Sequence, residues 1–177
     1  LAKRNAFRGG EKVSFKIFGS YEWQTGAGAQ GGNSLLNSYE LGTELALKFP
    51  RFVFPGISRR RMRFPSTTEF KLDAGWKNRS KFYNMISLGL GVTYSWHRRE
   101  NLKHDLTLFN LEFDRLNHTT HEFDSIMTAN PALYISMRDQ FVPSMSYSMT
   151  YQSSASRRNP WWVQLTLKEA GNLTSAI

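Results

Sequence analysis

Cysteine is absent from the chain, and this absence excludes several classes of site at once. Without thiols there is no disulfide, no cysteine-ligated zinc or iron–sulfur centre and no thiol nucleophile. Long hydrophobic runs are absent as well, because the purely apolar stretches cover only a few residues, whereas a membrane-spanning helix needs about 20. The mean hydropathy of −0.47 is that of a polar chain. Apolar and polar residues alternate in barrel strands, so their mean hydropathy is polar as well. The value therefore does not exclude a membrane β-barrel.

Acidic residues are scarce relative to basic ones, with 14 Asp and Glu against 23 Lys and Arg, and the formal net charge is +9. Such an excess fits an anionic partner, either a nucleic acid or a lipid surface. The 177 residues suffice for one ordinary domain or a piece of a larger one. Because the sequence opens Leu1-Ala2-Lys3 without an initiator Met and stops without a closing element, we expect a fragment of a longer chain.

Apolar and polar residues alternate with period two through most of the chain. In residues 12–24, for example, Val13 and Phe15 share one face, while Ser14 and Lys16 share the other. The same alternation recurs in six further segments, at residues 39–49, 69–77, 86–97, 104–116, 144–151 and 161–168. This pattern predicts antiparallel strands with two unlike faces, each roughly the 9–11 residues that a tilted membrane strand requires. A short helix is predicted at residues 121–129.

Alternation alone does not say whether the apolar face meets a core or lipid, because β-sandwiches and membrane barrels share it. The polar face is rich in Gly, Ser and Thr, which suits a water-filled lumen. Charges are absent from the apolar register of most segments, and aromatic residues fall near strand ends, as in the girdles of membrane barrels. A soluble β-sandwich that binds a ligand is the alternative. The residues predicted to face lipid or its interface are Tyr21, Trp23, Trp76, Leu88, Leu90, Tyr94, Trp96, Tyr147, Tyr151 and Trp161.

Three short stretches resemble one known family. Asn5-Ala6-Phe7-Arg8-Gly9-Gly10-Glu11 is similar to the glycine-containing turn between the first two barrel strands of the BamA/TamA family of bacterial outer-membrane assembly factors, the surface-antigen family. Phe49-Pro50-Arg51-Phe52 resembles the proline-aromatic end of that family's third strand, and Lys168-Glu169-Ala170-Gly171-Asn172-Leu173 resembles a stretch after a later strand in its Bacteroidota members.

The resemblance implies an antiparallel up-and-down transmembrane barrel with sixteen strands, located in the bacterial outer membrane. Residues 1–177 would form its N-terminal half, about seven to eight strands. It implies a role in inserting, assembling or translocating other outer-membrane proteins through a lateral seam, and it places residues 50–68 outside the cell. Implied partners are outer-membrane lipids, nascent outer-membrane proteins and other subunits of the assembly machinery. No cofactor, catalytic residue, metal, nucleic acid or small-molecule substrate is expected, and the chain is not expected to be an enzyme. A passive porin-like channel is the alternative within membranes.

Other motifs carry less information. Residues 26–31 fit G-x-G-x-x-G, but a strand rather than a helix follows, so a hairpin loop is predicted. His118, His121 and Glu122 could ligate a metal, yet they lie in a polar connection without a helical H-E-x-x-H arrangement. The basic run at residues 59–63 could contact nucleic acid, but stacking aromatics would then have to lie beside the basic residues, and here they fall on the apolar register. We interpret this run either as a loop near anionic lipid head groups or simply as a solvated loop.

Overall fold

The computed structural model describes residues 1–24, 36–53, 64–79, 82–154 and 158–171. The strands in this part of the chain form one antiparallel sheet in which each strand pairs with its sequence neighbours, in the order β1 to β8. The predicted all-β, up-and-down architecture is therefore confirmed, and it fits a partial barrel whose sheet is open. The elements are β1 (Ala2–Arg4), β2 (Lys12–Gln24), β3 (Leu36–Phe49), β4 (Ser66–Arg79), β5 (Tyr83–Arg99), β6 (Leu102–Thr119), α1 (His121–Ala129), α2 (Pro131–Met137), β7 (Gln140–Gln152) and β8 (Trp162–Ala170).

The register of the sheet keeps apolar residues beside apolar residues across successive strands. One row pairs Phe15 with Leu45, Leu45 with Leu72, Leu72 with Leu90 and Leu90 with Leu111. Because directly paired residues point to the same side, these rows build one continuous surface, which we call the apolar face, and the alternating residues build the polar face. A slip of one residue would exchange the two faces, so the alternation itself specifies the register.

Both pairings of β6 shift register near its middle. Val92 pairs with Phe109 but Thr93 pairs with Thr107, which leaves Leu108 as an extra residue, and the pairing with β7 shifts between Thr107 and Asn110. A bulge bends the strand and increases its local twist. The sheet thus has a built-in source of curvature at β6, which closing a barrel requires.

The strands β6 and β7 extend beyond their predicted limits. β6 covers Leu102–Thr119 where residues 104–116 were predicted, and β7 begins at Gln140 where residue 144 was predicted. Pro143 obscured the start of β7, because proline normally interrupts a strand. Here it lies opposite Leu111, beside the bulge, where a missing N–H is tolerated.

The apolar face is not covered by a second layer in the described part of the chain. Leu88 is 48% exposed and Leu90 41% exposed, although both lie on central strand β5. A two-layer sandwich would bury them. The one buried hydrophobic cluster among the described residues sits at the end of the sheet that carries α1 and α2, which we call the helix end. Neither helix is long and apolar enough to cross a membrane.

The predicted turn at residues 5–11 connects β1 to β2 and holds three residues at positive φ. Asn5, Arg8 and Gly10 have φ of 56°, 64° and 83°. Two hydrogen bonds close the turn, from Ala6 N–H to Glu11 O at 3.1 Å and from Gly10 N–H to the Asn5 side-chain oxygen at 3.0 Å. We call this end of the sheet, which also carries residues 100–101, the turn end.

We expect Arg8→Gly to raise the free energy of unfolding by up to about 1 kcal/mol, because a side chain disfavours the left-handed conformation that Arg8 adopts. Gly10→Ala should lower it by about 1–2 kcal/mol for the same reason. A Cβ at Gly10 would also lie 3.3 Å from Pro50 Cγ. Urea-unfolding midpoints measure both changes, and equal midpoints for the two variants would contradict the positive φ values.

Candidate functional site

The apolar face spans a height that fits a bilayer. Tyr94 and Ile86 are eight positions apart on β5, which corresponds to about 27 Å along the strand. At the tilt of about 40° that is typical of membrane barrels, the height is about 20 Å. Leu88 and Leu90 lie between these two residues. The charged residues that share this register lie near strand ends, and they are Lys3, Arg99, Arg115 and Glu169.

Aromatic side chains form a row along the turn end of the apolar face. The rings of Phe52 and Trp96 are 6.0 Å apart, those of Trp96 and His104 are stacked at 5.2 Å, and those of Tyr151 and Trp161 are 5.2 Å apart. Tyr94 belongs to the row because its ring lies 5.8 Å from that of Phe52, and its hydroxyl donates to Val53 O at 3.3 Å. Five of the residues predicted to face the membrane thus meet at one end of the face: Tyr94, Trp96, Tyr147, Tyr151 and Trp161.

The helix end of the apolar face carries fewer aromatic residues. Tyr39 and Trp76 meet edge-to-face at 5.5 Å, and Tyr21 pairs with Tyr39 in register. Trp23 pairs with Asn37, and its side chain lies outside the described part of the structure. The predicted residues therefore divide into two aromatic groups with Leu88 and Leu90 between them.

His104 belongs to the aromatic row, and sequence reasoning missed it. Its ring lies between Trp96 and Tyr147, only 8% of the residue is exposed, and Nδ1 lies 2.7 Å from the Tyr147 hydroxyl. Alternation counted from Phe109, Leu111 and Phe113 assigns His104 to the polar face, whereas the bulge at Leu108 brings it to the apolar face. Its contacts come from other strands, which the local pattern does not reveal.

The polar face is crossed by a ladder of ion pairs. Lys16 Nζ lies 2.6 Å from Glu44 Oε1, and Lys71 Nζ lies 3.3 Å from Glu44 Oε2 and 3.6 Å from an oxygen of Asp73. Toward β8, hydroxyls replace the charges, as in the 2.9 Å contact between Ser148 and Thr166. Exposed ion pairs add little stability. Their arrangement gives this face a hydrated, charge-balanced surface.

Glycines on the polar face accommodate side chains from neighbouring strands. Gly42 lies beneath the ring of Phe18, its register partner on β2, and Gly89 lies beneath the carboxylate of Asp73 on β4. A Cβ at Gly42 would overlap the Phe18 ring. The glycines therefore let a neighbouring side chain lie flat on the sheet, so that side chains on this face project less far from it.

The connection between β6 and β7 folds back over the polar face at the helix end. Tyr83, Met85 and Leu116 share the polar register there, and Phe123 and Met127 of α1 pack on them. Phe123 lies 5.2 Å from the Tyr83 ring, and its N–H donates to the hydroxyl of the N-cap Thr120 at 3.4 Å. The predicted helix at residues 121–129 is confirmed. It narrows the space in front of the polar face.

Phe123→Ala should detach α1 from the sheet, because truncating a buried Phe costs about 3 kcal/mol or more. Ile126→Ala is the matched control, since Ile126 lies on the same helix and is exposed. We expect protease cleavage within α1 to accelerate in the first variant only. Equal cleavage of both variants would show that the Phe123 contacts do not hold the helix.

Glu11 is a buried carboxylate at the turn end. Its Oε2 accepts from Gly9 N–H at 2.9 Å, and Arg51 Nη2 lies 3.6 Å from its Oε1. Hydrogen bonds from the backbone N–H groups of Glu11 itself, Gly9 and Phe7, with the charge of Arg51, hold the pKa of Glu11 below its usual value, although desolvation opposes this. The carboxylate ties the turn to the segment that follows β3.

Acid should weaken this tie. A carboxyl group whose pKa is lower in the folded state stabilises that state above its unfolded pKa of about 4.3, and the stabilisation disappears as pH falls through the lower, folded value. Glu11→Gln should therefore unfold at lower urea than the parent at pH 7, and the two midpoints should converge at acidic pH. A difference that is constant across this range would contradict a role for ionised Glu11.

Among the described residues, no group of three or more His, Asp or Glu could hold a metal ion. His118 is the last residue but one of β6 and His121 is the first residue of α1. Both are exposed, while the side chain of Glu122 lies outside the described part. Residues 26–31 and 59–63 also lie outside it.

The two edges of the sheet differ. β1 is three residues long, and from Lys16 onward β2 has no partner on that side within the described ranges. At the other edge, all nine residues of β8 are exposed, and β8 pairs only with β7 in the described structure. Both edges present backbone N–H and C=O groups that another strand could pair with.

No protein-family model, curated protein or solved structure matches this chain.

Proposed function

We propose that this chain forms part of a bacterial outer-membrane β-barrel that helps to insert, assemble or translocate other outer-membrane proteins. The observation that carries the membrane assignment is the continuous apolar face, exposed on a single sheet whose other face is polar. Exposed apolar patches of this extent are rare on monomeric soluble proteins, and hydrocarbon would cover this one. The aromatic rows at both of its ends support a position across the bilayer.

The role in assembly has two supports. Stretches at residues 5–11, 49–52 and 168–173 resemble the BamA/TamA family. Within the described ranges, β2 from Lys16 onward and β8 also have no neighbouring strand on one side, and unpaired backbone is costly in lipid. A barrel whose seam opens can pair its edge strand with an incoming strand, which gains the hydrogen bonds that both edges lack. This mechanism needs no cofactor and no bond-breaking step.

A passive channel is the second candidate. It is favoured by the polar face, where Ser144, Ser146 and Ser148 alternate along β7 and hydroxyl pairs replace the charges. It is disfavoured by α1, which packs against that same face at the helix end.

The absence of cysteine makes a direct test of the membrane assignment possible. Single cysteines at Leu90, on the apolar face, and at Ser146, on the polar face, should react differently with a water-soluble maleimide in intact membranes. We expect Leu90→Cys to react only after detergent is added and Ser146→Cys to react before. Equal rates at both positions in the membrane would overturn the assignment.

The assembly role is tested with edge and interior cysteines. Ala2→Cys lies on edge strand β1, whereas Ser95→Cys lies on interior strand β5, and both positions belong to the polar register. A client barrel with one cysteine in its terminal strand should form a disulfide with the first variant only. Depleting the protein should also reduce the abundance of other outer-membrane proteins. If their abundance is unchanged and the reconstituted protein conducts ions, the channel is the correct function.

A further inference from the structure

A cavity of about 990 Å³ lies at the turn end, where the β5–β6 hairpin approaches the segment after β7. Its rim is held by backbone hydrogen bonds. Gln152 N–H donates to Asn101 O and Ser153 N–H donates to Trp161 O, each at 2.9 Å. The volume is that of a pocket for an organic ligand and much exceeds the needs of one inorganic ion. Its lining includes Trp96, His97, Arg98, Arg99, Gln152 and Ser153.

The cavity is lined by two arginines that lack an ion-pair partner in the described ranges. Arg98 and Arg99 are both exposed, and neither forms an ion pair with any side chain in the described ranges. Glu100 also lines the cavity, so its formal charge with neutral His97 is +1. The guanidinium group presents planar pairs of donors that match phosphate oxygens. The two arginines therefore suit a phosphorylated anion.

Aromatic residues also line the cavity, and one of them belongs to the apolar face. Trp96 lines the cavity and is also the ring that contacts Phe52 and His104 in the aromatic row. Phe64 adds a second aromatic wall. A ligand that fills the cavity therefore meets both cationic and aromatic side chains, which is the combination that an amphiphile with an anionic head requires.

We infer that this cavity binds the phosphorylated head group of an anionic lipid, whose acyl chains extend along the apolar face from Trp96. The inference rests on the proposed function, because acyl chains reach Trp96 only if the apolar face lies in the membrane. It adds a specific lipid contact to that function. It also gives a role to two arginines that have no ionic partner among the described residues.

The test measures lipid retention by the purified full chain in neutral detergent. Phosphatidylglycerol or phosphatidylcholine is added in equal amounts, and native mass spectrometry counts the lipid that stays bound. We expect preferential retention of phosphatidylglycerol, and a loss of about tenfold in Arg98→Gln/Arg99→Gln, since each basic residue near an anionic surface strengthens binding several-fold. Arg79→Gln/Arg115→Gln is the matched control, because it removes the same charge at the helix end and should retain the lipid.

A second arm separates the lipid from a free ion. Millimolar inorganic phosphate should leave the bound phosphatidylglycerol in place, and full displacement would identify the cavity as a simple phosphate site and overturn the inference. Equal retention of the two lipids, or equal loss in the two double variants, would also overturn it. Maleimide labelling of Leu90→Cys reports membrane insertion separately. Normal insertion without lipid preference refutes this inference alone, whereas failed insertion refutes the proposed function.

Discussion

Arginine at Leu90 should abolish insertion of the sheet into a membrane, whereas arginine at Ser87 should leave insertion intact. Leu90 lies at the middle of the apolar face between Leu72 and Leu111, its partners on the adjacent strands. A charged side chain that faces lipid at this depth costs about 2–4 kcal/mol. Membrane barrels are stabilised by only a modest margin, so a loss of this size blocks assembly.

The control lies on the same strand and faces the other way. Ser87 pairs with Gly75 and Asp114, so an arginine there points into the polar face beside a carboxylate. Leu88→Arg should behave like Leu90→Arg, and Ser146→Arg like Ser87→Arg, because each shares the face of its counterpart. The measurement is the fraction of protein that stays in the membrane after alkaline carbonate extraction.

The sign of the effect separates the membrane protein from a soluble one. If the apolar face of the isolated chain met water, replacing an exposed leucine by arginine would improve solubility and leave folding unchanged. Improved solubility of Leu90→Arg, without any loss of membrane association relative to the parent, would therefore contradict the lipid-facing assignment. Equal tolerance of arginine on both faces would contradict it as well.

The strands and their two faces were predictable because period-two alternation is a local property. Leu88 and Leu90 are on the apolar face because they alternate with Ser87 and Gly89, and neighbouring strands need only match that pattern to set the register. The limits of α1 were predictable for a similar reason, since Thr120 is a favourable N-cap directly before the helix.

Contacts between distant strands were not predictable from the same pattern. The sequence identifies the face of Trp96, but continuing the alternation of Phe109, Leu111 and Phe113 would assign His104 to the polar face. The bulge at Leu108 brings His104 to the apolar face, where its ring stacks on Trp96. The same holds for Tyr83 and Met85, which interrupt the polar face of β5. These two residues are apolar because α1 packs on them, and α1 follows them in the sequence only after the whole of β6.

Gly42→Val should destabilise the sheet by about 2–3 kcal/mol, because overfilling a packed position forces neighbouring atoms to move. Gly42 is buried beneath the Phe18 ring, and a Cβ would occupy the position of that ring. Phe18 is 53% exposed, so its ring can turn away, and the cost is the loss of its contact with the glycine surface. We expect Gly42→Ala to have the same sign and a smaller effect, measured as the shift in the urea-unfolding midpoint.

Gly75→Ala is the matched control, since Gly75 pairs directly with Gly42 on the same face, and its added Cβ would lie 3.7 Å from Ser87 Cβ, an ordinary contact. The destabilisation at Gly42 should also depend on the ring. In the Phe18→Ala background, the further change Gly42→Ala should cost little. The effects of the two substitutions on the free energy of unfolding should therefore be non-additive by about 1 kcal/mol. Additive effects, or a Gly75→Ala shift as large as that of Gly42→Ala, would mean that glycine is required at position 42 for its backbone alone. Non-additivity would show that Phe18 and Gly42 act as one unit that joins β2 to β3, next to the edge of the sheet where the proposed seam must open.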